Sequence, residues 1–236
     1  METNMSGILY GVGVGPGDPE LLTIKALRIL KESDIIALPA QEKEHCHAYQ
    51  IVKQNYPEIE EKELLPLSFP MTKDAALLQK HHEENAEKIL QELRQGKQVA
   101  FLTIGDPCVY STFQYMYGRI KAAGEEARVI NGVPSFCAAA GAAGISLADM
   151  PEEIHIIPAS YDIKDTMELR GTRVYMKSGK KLVQLKELLT EQAKTTKLQV
   201  IVAENCGMEN ERIHTGLDAI DPQAGYLTIV IVKEEQ

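Results

Sequence analysis

The sequence predicts an α/β protein of two domains, the first on a mainly parallel sheet and the second on a mixed one. Three observations predict it. Apolar runs alternate with amphipathic ones through the first half of the chain. The run QVAFLTI (98–104) is apolar at nearly every position, as a strand covered on both faces is. After Gly132 only one long amphipathic helix remains among several strand-like runs, whose short connections call for some antiparallel pairing. The boundary is expected near residue 132, giving domains over 1–132 and 133–236 with a ligand cleft between them.

The elements follow in order. ILYGVGV (8–14) reads as a strand. PELLTIKALRILKES (19–33) reads as one helix, with Asp18 at its N-cap, Pro19 in its first turn and Leu22, Ala26, Ile29 and Leu30 at helical spacing. IIALPA (35–40) is a short strand, AYQIVKQNY (48–56) a helix, and KELLPLSF (62–69) an extended run interrupted by Pro66. A long polar helix is expected from Asp74 to Gln95, stopped by Gly96. A helix around 109–123 and the strand ARVIN (127–131) follow the 98–104 run. In the second domain SFCAAAGAAG (135–144) and KKLVQLKELLTEQ (180–192) read as helices. EEIHIIPAS, RVYMKS, LQVIVAEN and YLTIVIVKE read as strands.

Composition narrows the class of protein. The chain has 236 residues, 44% of them hydrophobic, enough for a buried core. No apolar run reaches the roughly 18 residues that span a membrane, and METNMSGILYG lacks the basic and apolar regions of a secretory leader. A cytoplasmic protein with no membrane partner is expected. The net charge of −9 argues against a large nucleic-acid footprint. Cys46, Cys108, Cys137 and Cys206 are widely spaced and fit reduced thiols better than disulfides or a zinc site.

GVGVGPGDPELLT (11–23) carries glycines at 11, 13, 15 and 17. The dinucleotide fingerprint fails there, because its third glycine falls on Pro16 or Asp18, and no P-loop run occurs anywhere. The two readings left are a phosphate-type cradle and a tight strand-to-helix turn whose glycines supply positive φ. Ligands of parallel sheets bind beyond the carboxyl ends of the strands, where three loops converge: 11–18, 104–110 and 131–135. In TIGDPCVYST, Gly105 admits close approach to the backbone and Asp106 can accept hydrogen bonds, the alternative being a plain Asp-Pro helix start. In NGVPS, Gly132 and Pro134 fix a turn before a helix N-terminus, with close helix packing as the alternative. His45-Cys46-His47 has a spacing that metal ligands sometimes share, but no ligand set is complete and no resident metal is expected.

The order Gly-x-Gly-Pro-Gly-Asp-Pro-Glu-Leu-Leu-Thr, then Gly-Asp-Pro, then Gly-Val-Pro-Ser resembles the tetrapyrrole methylase family over essentially the whole chain. PLSFPMTKD (66–74) and GDPCVYST (105–112) look like the branch that methylates C20 of precorrin-2 or its cobalt complex, cobalt-factor II, in cobalamin and porphyrin biosynthesis. The resemblance implies S-adenosylmethionine as methyl donor, S-adenosylhomocysteine as product and a homodimer. It implies cofactor contacts at Ile104, Gly105, Asp106, Val109, Tyr110, Pro134, Ser135, Met176, Glu204, Asn205 and Thr228. It places Gly15, Pro16, Gly17, Asp18, Lys73 and Lys177 on the tetrapyrrole side. The sequence departs from several branches at Ile104, where they carry glycine, and at Pro134, where they carry threonine.

Methyl transfer from a sulfonium is an in-line displacement that depends mostly on alignment. The C20 proton must then leave, and Asp106 is the nearest candidate base by resemblance, with Tyr110 second; anchoring the cofactor is the other role open to Asp106. A carboxylate-rich ring calls for local basic groups on an acidic protein, with Lys73, Arg119, Lys177, Lys180 and Lys181 as candidates. Rival readings are a tetrapyrrole methylase acting at a different ring position, a diphthine synthase-like or RNA-directed member of the family, a nicotinamide oxidoreductase, and a non-catalytic S-adenosylmethionine-binding protein. The cobalt-bearing ring is favoured, because the wording of the chain looks closer to the anaerobic branch.

Overall fold

β4 (Val99–Thr103) has every residue buried and lies at the centre of a five-stranded sheet. Its neighbours are β1 (Ile8–Gly13) and β2 (Ile35–Leu38), with β3 (Glu63–Pro66) and β5 (Glu126–Ile130) at the edges, in the order β3-β2-β4-β1-β5. Every pairing is parallel. Parallel strands need crossovers, and α1 (Ile24–Glu32), α2 (His47–Asn55), α3 (Ala75–Arg94) and α4 (Phe113–Ala122) supply them. The computed structural model describes residues 6–234 and divides into two compact units between Pro134 and Ser135. Residues 1–5, part of the stretch read for a leader, and the side chain of Lys180 lie outside what is described.

In the first unit α3 turns Ala86, Ile89, Leu90 and Leu93 onto Leu9, Val99 and Phe101 of the sheet, with Phe113, Met116 and Ile120 of α4 beside them. Each fully buried Leu, Ile or Phe there contributes roughly 1.5–3 kcal/mol of transfer free energy. Asp74 caps α3, its Oδ1 accepting from Leu77 N at 3.1 Å, and Gly96 ends it at φ +84°.

The second unit opens with α5 (Ser135–Ala142) and carries α6 (Leu182–Gln192) against a sheet ordered β6-β7-β10-β8-β9. Its strands are β6 (Ile154–Pro158), β7 (Thr172–Met176), β8 (Leu198–Glu204), β9 (Arg212–Thr215) and β10 (Thr228–Glu234). β6 and β7 are parallel, whereas β10 runs antiparallel to β7 and β8, and β9 to β8.

Two expectations are corrected and one strand is added. The helix expected over 19–33 is two elements: a 3-10 turn at Pro19–Leu21 and α1. Leu22 is extended (φ −68°, ψ 121°), and Thr23 starts the helix afresh, its hydroxyl accepting from Ala26 N at 3.1 Å. The helix expected around 109–123 begins at Phe113, because Tyr110 sits at φ +48°, outside helical space. β9 was not anticipated.

Candidate active site

The register places Gly13 beside Thr103 and Val12 beside Ile130, so the loops after β1, β4 and β5 leave the sheet side by side. Val14 N–H donates to Thr103 O at 2.9 Å, and Gly105 N–H to Gly15 O at 2.8 Å, in a bridge beyond the strands. Among Gly11, Gly13, Gly15 and Gly17 only Gly15 takes a positive φ, +79°, which corrects the reading of all four as turn glycines. Gly13 is needed for contact instead. A Cβ there would stand 2.6 Å from Gly105 O and 2.6 Å from Gly132 N, and one on Gly132 would stand 2.3 Å from Gly105 O. Three backbones therefore touch directly at the head of the sheet.

Asp106 locks them. It is 7% exposed. Oδ1 accepts from Cys108 N at 2.7 Å, and Oδ2 accepts from Gly132 N and from Asn131 Nδ2, both at 3.0 Å. The carboxylate that the sequence offered as base or anchor thus joins the β4 loop to the β5 loop. Buried carboxylates keep such bonds because loss of a partner leaves a desolvated group unpaired. Burial, with the Asp106 charge next in weight, pushes the neighbouring Cys108 thiol up.

In the loops joined by this lock Ile104, Val109 and Pro134 are half-buried and Tyr110 is exposed; Ser135, which opens the second unit, is half-buried. Partial desolvation of its phenol raises the Tyr110 pKa, so the group stays protonated at neutral pH. Gly15, Pro16 and Gly17, expected to face the ring, are buried, whereas Asp18 is partly exposed and accepts from Glu20 N at 2.8 Å.

In the second unit register again gathers the expected residues. Thr228 pairs with Glu204 and Ile229 with both Ala203 and Met176, so Met176, Glu204 and Thr228 share one end of the sheet. Lys177 follows at φ +55° and Asn205 at φ +50°. Tyr110, Lys177 and Asn205 make up three of the four non-glycine residues with positive φ among those described. Strain of this kind, about 1–3 kcal/mol each, persists where surrounding structure enforces it and collects at functional sites. Thr228 is buried, its hydroxyl donating to Gly225 O at 2.8 Å. Glu204 lines a hollow of about 550 Å³ with Arg212, His214 and Asp221.

Lys73 is exposed after β3, Arg119 lies on α4, and Lys181 donates to Gln184 at 3.0 Å. His45 pairs with Glu42 at 3.1 Å, Cys46 is buried, and no trio of His, Cys, Asp or Glu suited to a metal occurs among the described residues. Sequence reasoning missed Asn131 as partner of Asp106, and Gly13 and Gly132 as contact glycines. The signal was present in NGVPS, where an Asn precedes the turn glycine.

A parallel sheet whose strand ends carry a backbone-walled, carboxylate-locked loop cluster, followed in the chain by a mixed sheet, defines a two-unit α/β protein. The family profile described as Tetrapyrrole (Corrin/Porphyrin) Methylases matches residues 8–220. The chain belongs to that family, a family of methyltransferases. A Methanocaldococcus jannaschii protein named "Probable cobalt-precorrin-2 C(20)-methyltransferase" is 36% identical over 95% of both chains. The Salmonella typhimurium "Cobalt-precorrin-2 C(20)-methyltransferase" is 32% identical over 79% of each. The uroporphyrin-III C-methyl transferase of Thermus thermophilus, solved with S-adenosyl homocysteine, shares the fold at TM-score 0.72 and 21% identity, over 96% of this chain and 97% of that one. No described helix is long and apolar enough to cross a membrane.

Proposed function

We propose that this protein transfers a methyl group from S-adenosylmethionine to C20 of a precorrin-2-type ring, with the cobalt-bearing ring, cobalt-factor II, as the preferred acceptor. The observation that carries the reading is the Asp106 lock beneath the Gly13–Gly105–Gly132 contact, on a chain whose relatives at 36% and 32% identity are named for that reaction. When bound, S-adenosylmethionine supplies a methyl group activated by its sulfonium.

The residues fit such a ligand in kind. Ile104, Val109 and Pro134 give half-buried apolar wall. Asp106 has its oxygens engaged, so in the first unit the polar partners come from the main chain at Gly105. The resemblance adds Ser135, Met176, Glu204 and Asn205 of the second unit as contacts. Asp106 acts by holding that main chain still rather than by taking a proton, and the protonated Tyr110 phenol can donate a hydrogen bond but not serve as base. With the donor bound, electron-rich C20 would form the new carbon–carbon bond as the methyl–sulfur bond breaks and S-adenosylhomocysteine leaves, and the C20 proton would pass to solvent. Lys73 and Lys177 serve the ring carboxylates. Cobalt arrives inside the ring as part of the substrate. A homodimer working in the cytoplasm completes the reading, and the net charge of −9 speaks against a nucleic-acid partner.

The test offers precorrin-2 and cobalt-factor II separately with carbon-13 methyl-labelled S-adenosylmethionine and locates the label by NMR. Label at C20, faster with the cobalt ring, is expected. Label at another carbon removes the branch assignment, and exclusive labelling of the metal-free ring reverses the cobalt preference.

A further inference from the structure

The segment 67–74 leaves β3 at the carboxyl end of the parallel sheet, the end that also carries the loops after β1, β4 and β5. It has no regular structure of its own, yet it is held at three points. Leu67 is fully buried and donates its N–H to Leu38 O at 2.9 Å. The Asn85 amide of α3, 1% exposed, accepts from Ser68 N at 3.3 Å and donates to Ser68 O at 2.7 Å. The Phe69 ring stands 5.9 Å from the His82 ring and, edge-on, 5.9 Å from Phe101. Beyond these holds Met71 is 91% exposed and Lys73 is exposed.

His82 carries the link onward. It is buried, and its imidazole stacks on Tyr115 of α4 with centroids 4.4 Å apart and planes at 19°. α4 is the helix that the 104–112 loop enters. Tyr115, His82 and Phe69 thus form a row of rings joining the Asp106 loop's helix to the 67–74 segment. What holds His82 is ring contact. Burial, then the charges of Arg119 on α4 and His81 on α3, lower its pKa and keep the imidazole neutral. The rest of α3 is anchored independently by Ala86, Ile89, Leu90 and Leu93.

We infer that His82 is a positioning residue for the ring substrate: through Phe69 it fixes the 69–73 turn, so that Met71 and Lys73 present an apolar contact and a cation to a carboxylate-bearing macrocycle. This rests on the proposed function. A fixed turn meets the ring without an added ordering cost, so loosening it weakens ring binding while the methyl donor's contacts stand.

Steady-state kinetics on the unaltered protein, His82→Ala and His82→Phe separate the possibilities, with hydrogen exchange of amides 68–74 in each. His82→Ala is expected to raise the ring KM about tenfold, leave the S-adenosylmethionine KM within about twofold, and speed exchange at 69–73. His82→Phe keeps the stack and restores both readouts. Tyr115→Ala, at a half-exposed position that tolerates truncation, reads the same link should His82→Ala fail to fold. An unmoved ring KM in folded variants, a parallel rise of both KM values, or failure of His82→Phe to restore overturns the inference. No turnover of either ring by the unaltered protein overturns the functional reading instead, and with it the ring half of this one.

Discussion

Asp106 Oδ2 accepts the Gly132 N–H at 3.0 Å across 26 positions of sequence, tying the loop after the central strand to the loop after the edge strand. Asn131 reaches the same oxygen and Cys108 N the other. The arrangement gives the carboxylate a mechanical role, which a proton-transfer role would not mimic under substitution.

Asp106→Asn keeps the shape but turns one acceptor into a donor facing the N–H groups that Asp106 now serves. A loss of about 1–3 kcal/mol in urea unfolding is expected, with S-adenosylmethionine binding weakened about tenfold by calorimetry. A base role gives the opposite pattern: unchanged stability and affinity with collapsed kcat.

Gly13→Ala places a Cβ 2.6 Å from two backbone atoms that cannot swing aside. Overpacking of this kind costs about 1–3 kcal/mol, and cofactor affinity should fall with it. Gly118→Ala is the control. Gly118 lies inside α4, with nothing within 4 Å of its would-be Cβ, so helix propensity raises stability by about 0.5–1 kcal/mol. Equal effects of the two substitutions in thermal unfolding would contradict the contact reading of Gly13.

His82 makes a pH prediction. Its folded pKa is lowered below the ordinary 6.5. The unfolded chain therefore binds the proton more readily, and stability is full above 6.5 and declines as pH falls below it. Arg119 and His81 are the cationic groups that face it, Tyr115 and Phe69 the rings. The difference in unfolding free energy between the unaltered protein and His82→Phe should therefore shift toward the variant below pH 6.5 and stay flat above it.

The parallel sheet was legible because VAFLT leaves no polar face to point at water, and a strand with two buried faces is parallel and central. Asp74 and Gly96 marked α3 by cap chemistry that acts locally. The break at Leu22–Thr23 was hidden, because the apolar spacing runs on across it and only Thr23's hydroxyl resets the helix. β9 was hidden because RIHT is a short, largely exposed edge strand whose formation depends on pairing with β8. At the site, Asp106 was found by its motif, but its partners lie at Asn131 and Gly132, and no local pattern states a contact so distant in sequence.

Lys177 sets strain against function. At φ +55° a lysine is costly, by about 1–2 kcal/mol, and glycine is not. Lys177→Ala and Lys177→Gly both delete the side chain, so any ring carboxylate it serves is lost equally, and both should raise the ring KM severalfold, by about fivefold. They differ only in backbone freedom. Lys177→Gly should therefore unfold at a higher temperature than Lys177→Ala, by about 1 kcal/mol at the midpoint, while their ring KM values coincide. If strain at this position is instead relieved by its surroundings, the two variants will melt together. If the side chain has no part in ring binding, neither will shift the ring KM, and the strained lysine will have lost the one reason the reaction gives for keeping it.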